Sequence, residues 1–260
     1  GPAGGGGGVD GGGKLGRHTV AYEYIDAMFR ALLHRVTTLL PSQCAVCRAW
    51  PSQPVCGACV ARFAQPVPRC RTCALPVPEG VGQCGACILH PPALDACLAA
   101  VAYAYPWSMC IAQFKFNQQV GWAGTLADLL RHSPWVEPAL EQCDSVLPMP
   151  LSAQRLRERG FNQALELARH LAPHKTRSQL LLRTRHTAPQ PTLKRAERLR
   201  NVQGAFALEP LRADALRGQR VVLVDDVMTS GASLFAAAAV LKQAGAVHVT
   251  GLVVARTPVD

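Results

Sequence analysis

The sequence of 260 residues contains no apolar run long enough to cross a membrane as a helix. A membrane-spanning helix needs about 20 consecutive, predominantly apolar residues. The best candidates, residues 96–101 and 234–241, are far shorter, and no apolar core of a signal peptide follows the first residues. Because 49% of the residues are nevertheless hydrophobic, the chain can bury a sizeable core, which excludes wholesale disorder. We expect a soluble, cytoplasmic protein without membrane insertion.

Acidic residues are scarce, since 17 Asp and Glu stand against 27 Lys and Arg. Residues 155–220 hold 15 of the basic and 5 of the acidic residues, whereas the rest of the chain is balanced. Such concentrated positive charge points to nucleic acid or a phosphate-rich small molecule; a solvated basic face is the simpler alternative. Aromatic residues are also few in this stretch, where only Phe161 and Phe206 occur, so it offers few surfaces on which bases could stack.

The first residues are rich in glycine and poor in groups to bury. Ten of the 22 glycines lie in residues 1–16, so we expect a flexible leader over residues 1–20, outside the fold. Residues 21–40 repeat apolar side chains at spacings of three and four, which predicts an amphipathic helix. Pro41 ends that helix. Met28 is a candidate for the native start of the chain.

Eight of the eleven cysteines form four CxxC pairs within residues 42–88. In such a pair a tight turn presents two thiolates to one tetrahedral ion, and two pairs complete a Cys₄ site. The short spacing predicts two structural zinc sites in series, although interleaved pairing is an alternative. Because closed sites leave no ligand position open, we expect the metal to fold residues 41–90 rather than to catalyse. The first site would use Cys44, Cys47, Cys56 and Cys59, and the second Cys70, Cys73, Cys84 and Cys87.

Three other uses of cysteine compete with structural zinc: disulfide bonds, a redox CxxC site and an iron–sulfur cluster. A redox site uses one CxxC pair inside a βαβ unit, not four pairs in series. A disulfide framework fits poorly with three further cysteines, Cys97, Cys110 and Cys143. Cluster ligands generally follow other spacings. Zinc ribbons are therefore the preferred interpretation.

Beyond residue 95 predicted strands alternate with predicted helices. This alternation predicts a parallel sheet that is covered on both faces, in a domain over residues 95–260. The predicted strands are residues 98–105, 145–147, 180–182, 221–224 and 247–254, and the predicted helices are residues 125–131, 162–172 and 233–244.

The segment VVLVDDVMTSGASL, residues 221–234, has the pattern of a phosphate site. An apolar strand ends in Asp225 and Asp226, and a small polar turn then leads into an alanine-rich helix. Ligands of open α/β sheets bind beyond the carboxyl ends of strands, and the N–H groups of a helix N-terminus favour phosphate. Gly231 allows close approach of the backbone, and the carboxylates suit two sugar hydroxyls or a Mg²⁺ ion. A generic strand–turn–helix is the simpler alternative. The hydroxyl donors are Thr229, Ser230 and Ser233.

This order of four apolar residues, two acidic residues and a Thr/Ser-Gly turn resembles the phosphoribosyl pyrophosphate (PRPP) signature of type I phosphoribosyltransferases. The resemblance implies that Asp225 and Asp226 are the catalytic carboxylates on the ribose hydroxyls. It places the 5′-phosphate in the turn that follows. Ser230 and Ser233 stand where threonine is commoner, and both keep the hydroxyl. The implied PRPP-binding residues here are Val227, Met228, Thr229, Ser230, Gly231, Ala232 and Ser233.

A second motif, RLRERGFNQA at residues 155–164, follows a loop fixed by Pro148 and Pro150. TAPQ at residues 187–190 and RAERLRN at residues 195–201 come next. With the CxxC pairs, these segments resemble the ComF/GntX family, which joins a cysteine-rich zinc module to a phosphoribosyltransferase domain. The resemblance covers the chain from about residue 41 onward. It implies the type I phosphoribosyltransferase fold, an α/β fold with a parallel sheet flanked by helices and a hood.

PRPP carries two phosphate groups, so it needs two anion sites that flank one ribose. We expect Arg159 at the second of these sites, because its planar guanidinium binds phosphate oxygens bidentately. In the resembled fold a hood closes on the substrate, and residues 186–206 fit it, with Lys194 and Arg195 beside the pyrophosphate. Solvent exposure is the alternative for each of these basic residues. The loop of the second site consists of Pro148, Met149, Pro150 and Leu151.

The resemblance implies a ComF-like protein that binds PRPP, or a related phosphorylated ribose, together with Mg²⁺. It also implies a role in natural competence and in the handling of imported single-stranded DNA, beside other competence or DNA-processing proteins. The alternative is an active phosphoribosyltransferase of nucleobase or other salvage with no DNA role. Neither the acceptor nor the oligomeric state follows from the sequence. The nucleic-acid candidates are Arg155, Arg157, Arg159, Arg198 and Arg200.

Overall fold

The computed structural model describes residues 42–116, 119–185, 202 and 204–258. The predicted leader, the predicted helix over residues 21–40 and Met28 lie outside these residues. So does most of the expected hood, because residues 186–201 and 203 are not described. Within the described ranges, no helix is both long and apolar enough to span a bilayer.

Four strands form a parallel sheet, which confirms the predicted fold class. Their spatial order is β1-β6-β5-β2, and each neighbouring pair is parallel. Two short strands, β3 and β4, form a separate antiparallel pair. The strands are β1 (Ala96–Ala102), β2 (Ser145–Pro148), β3 (Leu181–Arg183), β4 (Phe206–Leu208), β5 (Arg220–Met228) and β6 (His248–Arg256).

Helices cover both faces of the sheet, as the alternation of elements predicts. One face packs against helices α3, α4, α5 and α7, and the other against helix α8 and the β3–β4 pair. A 3₁₀ helix at Pro210–Leu216 leads into β5. The helices are α1 (Gly57–Phe63), α2 (Gly85–Leu89), α3 (Trp107–Phe116), α4 (Trp122–Arg131), α5 (Val136–Gln142), α6 (Ala153–Arg159), α7 (Gln163–Leu171) and α8 (Ala232–Gln243).

Strand β5 is longer than the pattern of apolar residues predicts. The expected strand ended at Val224, but pairing with β6 continues through Asp225 and Val227 to Met228, which is opposite Arg256. The neighbouring strand offers backbone partners along its whole length, so the ladder continues where the side chains become polar. As a result, both carboxylates belong to the strand itself rather than to the loop after it.

The two halves of the cysteine-rich module pack on opposite faces of the sheet. The first half shares a core with α3, where the indole Nε1 of Trp107 donates to the carbonyl of Phe63 at 2.8 Å. The second half shares a core with α8, and the Cys97 N–H of β1 donates to the carbonyl of Arg71 at 2.7 Å. The module is therefore docked on the sheet at two separate places.

Candidate functional site

The four CxxC pairs form two clusters of thiols. In each cluster the four Sγ atoms all lie within 4.8 Å of one another. All eleven cysteines are free thiols, so the structure contains none of the disulfide bonds considered as an alternative. The predicted sequential pairing is confirmed over the interleaved one: one cluster is Cys44, Cys47, Cys56 and Cys59, and the other is Cys70, Cys73, Cys84 and Cys87.

Both clusters have the donor set of a closed metal site. The backbone N–H of Cys56 lies 3.4 Å from the Sγ of Cys44, as an N–H donor to a ligating sulfur would. Helices α1 and α2 begin directly after Cys56 and Cys84, which brings Cys59 and Cys87 into the first helical turns, where both are buried. Four converging sulfur atoms suit a tetrahedral ion. Each cluster could therefore hold one metal ion.

The acid pair lies at the carboxyl edge of the sheet and meets two basic side chains. Lys115, on α3, places its Nζ 2.9 Å from Oδ1 of Asp226. Arg159, on α6, places an Nη atom 3.9 Å from Oδ2 of the same carboxylate. Asp226 is buried, and the carboxylate of Asp225 accepts the Asp226 backbone N–H at 2.9 Å. Three separate elements therefore converge on this carboxylate.

Arg159 is held in place by its neighbours. Its Nη1 donates to Oε1 of the buried Gln163 at 2.9 Å. Its guanidinium also lies 5.8 Å from the ring centre of Phe116, which is 70% exposed. The arginine is thus oriented by α7 and stacked beside an exposed aromatic ring at the edge of the site.

The charges around the acid pair leave an excess of positive charge. Burial, and then the negative charge of Asp226, raise the pKa of Asp225 to about 7. The positive charges of Lys115 and Arg159 act in the opposite direction on that pKa. Arg155 and Arg183 also act electrostatically on Asp225. Four basic side chains thus stand against Asp225, Asp226 and Glu158, which acts on Arg155, and the remaining positive charge attracts an anion.

The turn after β5 has the geometry that a phosphate-binding turn needs. Gly231 precedes the twelve-residue helix α8 with φ +83, a left-handed conformation that favours glycine. A Cβ atom at this position would lie 2.5 Å from Cε of Met228 and 2.7 Å from the ring of Phe235. The Ser230 hydroxyl accepts the N–H of Ala232 at 3.4 Å. Of the predicted residues, Val227 and Met228 lie in the strand, and the remaining five form the turn and the start of the helix.

The loop after β2 lies beside this turn, because β2 and β5 are neighbours. The Met149 N–H donates to the carbonyl of Val224 at 2.9 Å. The Asn162 side chain donates to the carbonyl of Met149 at 3.1 Å and also caps α7. Ser152 caps α6 by accepting from the N–H of Arg155. The GFNQ segment therefore fixes the loop of Pro148, Met149, Pro150 and Leu151 against the acid pair.

Of the remaining predicted basic residues, Arg157 alone lies in the described part of the chain, and it is not part of this arrangement. Arg157 is exposed on α6, and none of its contacts reaches the acid pair in the described part of the chain. Four further predicted residues, Lys194, Arg195, Arg198 and Arg200, lie outside the described residues.

Sequence reasoning missed Lys115 and Arg183. The signal for Lys115 was weak: it is the only lysine between residues 42 and 174, in a helix that the sequence analysis did not predict. Arg183, on β3, lies 42 positions before Asp225 in the chain, and no local pattern connects the two.

Several curated proteins named for DNA utilization or competence are similar to this chain. It is 32% identical over 227 residues to the DNA utilization protein YhgH of Salmonella typhimurium, and this alignment covers 84% of this chain and 98% of that protein. It is 29% identical over 200 residues to competence protein F of Haemophilus influenzae, covering 75% and 81%. It is 33% identical over 113 residues to competence protein ComFC of Bacillus subtilis, covering 43% and 44%.

Comparison with family models and solved structures adds little. No family model matches the sequence. The allosteric regulatory enzyme of purine biosynthesis aligns at a TM-score of 0.33 and 19% identity, over 52% of this chain and 25% of that one. The glutamine PRPP amidotransferase of B. subtilis aligns at the same TM-score and identity, over 52% and 26%. This similarity is too low to indicate a function.

Proposed function

This chain belongs to the ComF/GntX family, and on that premise we propose that it binds PRPP with Mg²⁺ at the carboxyl edge of its sheet. One observation carries the proposal. A pair of carboxylates, a helix-capping turn and a proline-fixed loop meet at one edge, within an excess of positive charge. PRPP presents the matching groups: two ribose hydroxyls between a monophosphate and a pyrophosphate.

Each part of the edge has a role in this proposal. Asp225 and Asp226 bind the ribose hydroxyls, and their carboxylates have the oxygen donors that Mg²⁺ prefers. The N–H groups and hydroxyls of residues 229–233 bind the 5′-phosphate. The loop of residues 148–151, with Arg159, binds the pyrophosphate. Lys115 balances the charge of Asp226 and belongs to the same site.

We assign zinc to the two thiol clusters as part of this proposal. Zinc suits four thiolates in a tetrahedral arrangement, and a Cys₄ site supplies folding free energy. The role of the metal is then structural, since neither cluster offers an open ligand position.

PRPP binding is tested by titration calorimetry with and without Mg²⁺. We expect Asp225→Asn/Asp226→Asn to abolish Mg²⁺-dependent binding, because the variant loses both anionic oxygen donors. A matched control, Asp128→Asn/Glu141→Gln, removes two exposed carboxylates from α4 and α5 and should bind as the wild type does. Unchanged affinity in the first variant, or no binding by the wild type, would refute the site.

Single-stranded DNA is the second ligand that we propose. The names of the relatives refer to DNA utilization and competence, and the structure adds one observation. Phe116 brings an exposed ring from outside the basic stretch to the edge of the site, beside Arg159. An aromatic ring beside a guanidinium is a surface on which a base can stack. This favours DNA handling over a purely salvage enzyme.

Binding of an oligothymidine at several salt concentrations tests this second ligand. Affinity should fall steeply as salt rises, and Phe116→Ala should weaken binding by roughly 5- to 150-fold, the range for loss of one stacked base. Trp135→Ala is the control, since Trp135 is 74% exposed and follows α4 at the start of α5, away from the acid pair. No binding at low salt, or equal losses in both variants, would contradict the proposal.

A further inference from the structure

Arg256, the last residue of β6, connects the second thiol cluster with the phosphate turn. Its side chain is 1% exposed. Its Nε donates to the carbonyl of Cys73 at 2.9 Å. Its Nη1 donates to the carbonyls of Met228, at 3.2 Å, and Thr229. One guanidinium therefore binds the backbone of a thiol-cluster residue and the backbone that begins the turn.

The charge of Arg256 has no carboxylate partner among the described residues. Its Nη2 is buried and has no hydrogen-bond partner there. A second arginine, Arg69, donates from its Nη1 to the carbonyl of Ala74 at 3.1 Å, the residue after the Cys73 to which Arg256 donates. Burial, and then the charge of Arg256, lower the pKa of Arg69. Both guanidiniums therefore contact the backbone of the turn at residues 73 and 74. A buried charge without compensation would be costly there.

A loaded thiol cluster supplies the missing negative charge. Four thiolates around one divalent cation carry a net double negative charge. The hydrogen bonds of Arg256 to the carbonyl of Cys73 and of Arg69 to the carbonyl of Ala74 place both cations near these sulfurs. Within the described ranges the first cluster has no such arrangement, because Arg48 and Arg62 beside it are exposed.

We propose that Arg256 is a positioning residue that couples metal occupancy of the second cluster to the shape of the phosphate turn. When the cluster is loaded, its charge and the Cys73 carbonyl hold the guanidinium. The guanidinium in turn fixes the carbonyls of Met228 and Thr229, so that the N–H groups at the start of α8 stay directed to the ligand. Loss of that metal releases the turn. The coupling rests on the proposed function only where it concerns PRPP affinity.

Coupling between two sites is reciprocal. If the loaded second cluster favours the binding form of the turn, then a ligand in the turn must slow loss of metal from that cluster. The first cluster packs on the other face of the sheet against α3, and the ligand should leave its rate of metal loss unchanged. A merely structural arginine would not produce this difference between the two clusters.

Single-ligand variants separate the two clusters. Cys47→Ser weakens the first cluster and leaves the second intact, whereas Cys84→Ser does the reverse; neither cysteine is fully buried. We expect Mg²⁺–PRPP to slow chelator-driven zinc release about tenfold in Cys47→Ser, within the usual range of such couplings, and not at all in Cys84→Ser. Hydrogen exchange of the amides of residues 229–234 should be faster in Cys84→Ser only.

Substitution of the arginine completes the test in zinc-loaded protein. Arg256→Met should speed both zinc release from the second cluster and amide exchange in the turn, and Arg256→Lys should restore part of each. Arg212→Met, at an exposed arginine, is the control. Should Arg256→Met not fold, Arg256→Lys with the two cysteine variants decides the question alone.

The outcomes separate this inference from the proposed function. If amide exchange in the turn is faster in Cys84→Ser only, and the protein does not bind PRPP, the coupling is supported and the proposed ligand is refuted. PRPP binding with equal exchange in Cys47→Ser and Cys84→Ser would refute the coupling and leave the ligand. An equal effect of PRPP on zinc release from both clusters would also refute it.

Discussion

At the scale of single residues, Asp225 makes the site dependent on pH. Its pKa is raised from an ordinary value of 3.8 to about 7, by burial first and by Asp226 second. The pKa of this carboxyl is higher in the folded than in the unfolded state. It therefore adds to the free energy of unfolding below pH 3.8, and this contribution is lost as the pH rises through about 7. At neutral pH, therefore, the ligand-free site holds a proton for part of the time.

We expect Mg²⁺-dependent PRPP affinity to increase as the pH rises from about 6 to about 8, because only the ionised carboxylate is an anionic donor to Mg²⁺ and an acceptor for ribose hydroxyls. Calorimetry at three pH values in that range measures the slope. The phosphate groups of PRPP also change charge in this pH range, so the comparison is with Asp225→Asn. This variant should bind PRPP more weakly, and its affinity should change less with pH. Parallel slopes in the two proteins would contradict the role of Asp225.

At the scale of elements, the turn between β5 and α8 depends on one glycine. Gly231→Ala places a Cβ atom within 2.7 Å of Phe235 and closer still to Met228, in a left-handed backbone conformation. Gly218→Ala is a matched control, since Gly218 has φ +76 but nothing within 4 Å of the added atom.

Both glycine substitutions should carry the left-handed penalty of about 1 kcal/mol, and Gly231→Ala should lose a further 1–3 kcal/mol from overpacking. Urea unfolding at constant zinc measures the difference, and calorimetry should show reduced PRPP affinity in Gly231→Ala alone. Equal losses of stability and affinity in the two variants would mean that the turn is not the phosphate site.

Some strands and helices could be predicted from the sequence, and others could not. Apolar strands bounded by turns located β2, β5 and β6 to within a few residues. The buried residues of helix α3, Trp107, Cys110, Ile111 and Phe114, have the spacing of one helical face. The helix was missed because further apolar residues at positions 109, 112 and 116 blur the contrast between that face and the rest of the helix. Missing α3 meant missing Lys115. The end of β5 was also misplaced, because its last residues are held by pairing with β6 rather than by their own propensity.

At the scale of the whole molecule, the cysteine-rich module has little core of its own, and we expect metal to hold it together. We expect two zinc ions per chain by elemental analysis, because each cluster brings four thiols together. Stripping the metal with a chelator at neutral pH should unfold residues 42–88 first, since metal binding there supplies folding free energy.

Hydrogen exchange measures that loss of structure, with the amides of β5 and β6 as an internal reference that should stay protected. One or no zinc per chain, iron in its place, or equal loss of protection in the sheet and the module would contradict the prediction.

The order of strands has a consequence for how the chain is made. Strand β1 lies at the edge of the sheet and pairs with β6, and β6 also pairs with β5. A ribosome delivers β6 after all the other described strands, so the nascent chain carries β1 and the cysteine-rich segment before their sheet partner emerges. We expect stalled chains that end before residue 248 to be cut by protease between the cysteine-rich segment and β2, whereas released chains that include β6 resist. For this protein, a late stop codon should be as damaging as an early one.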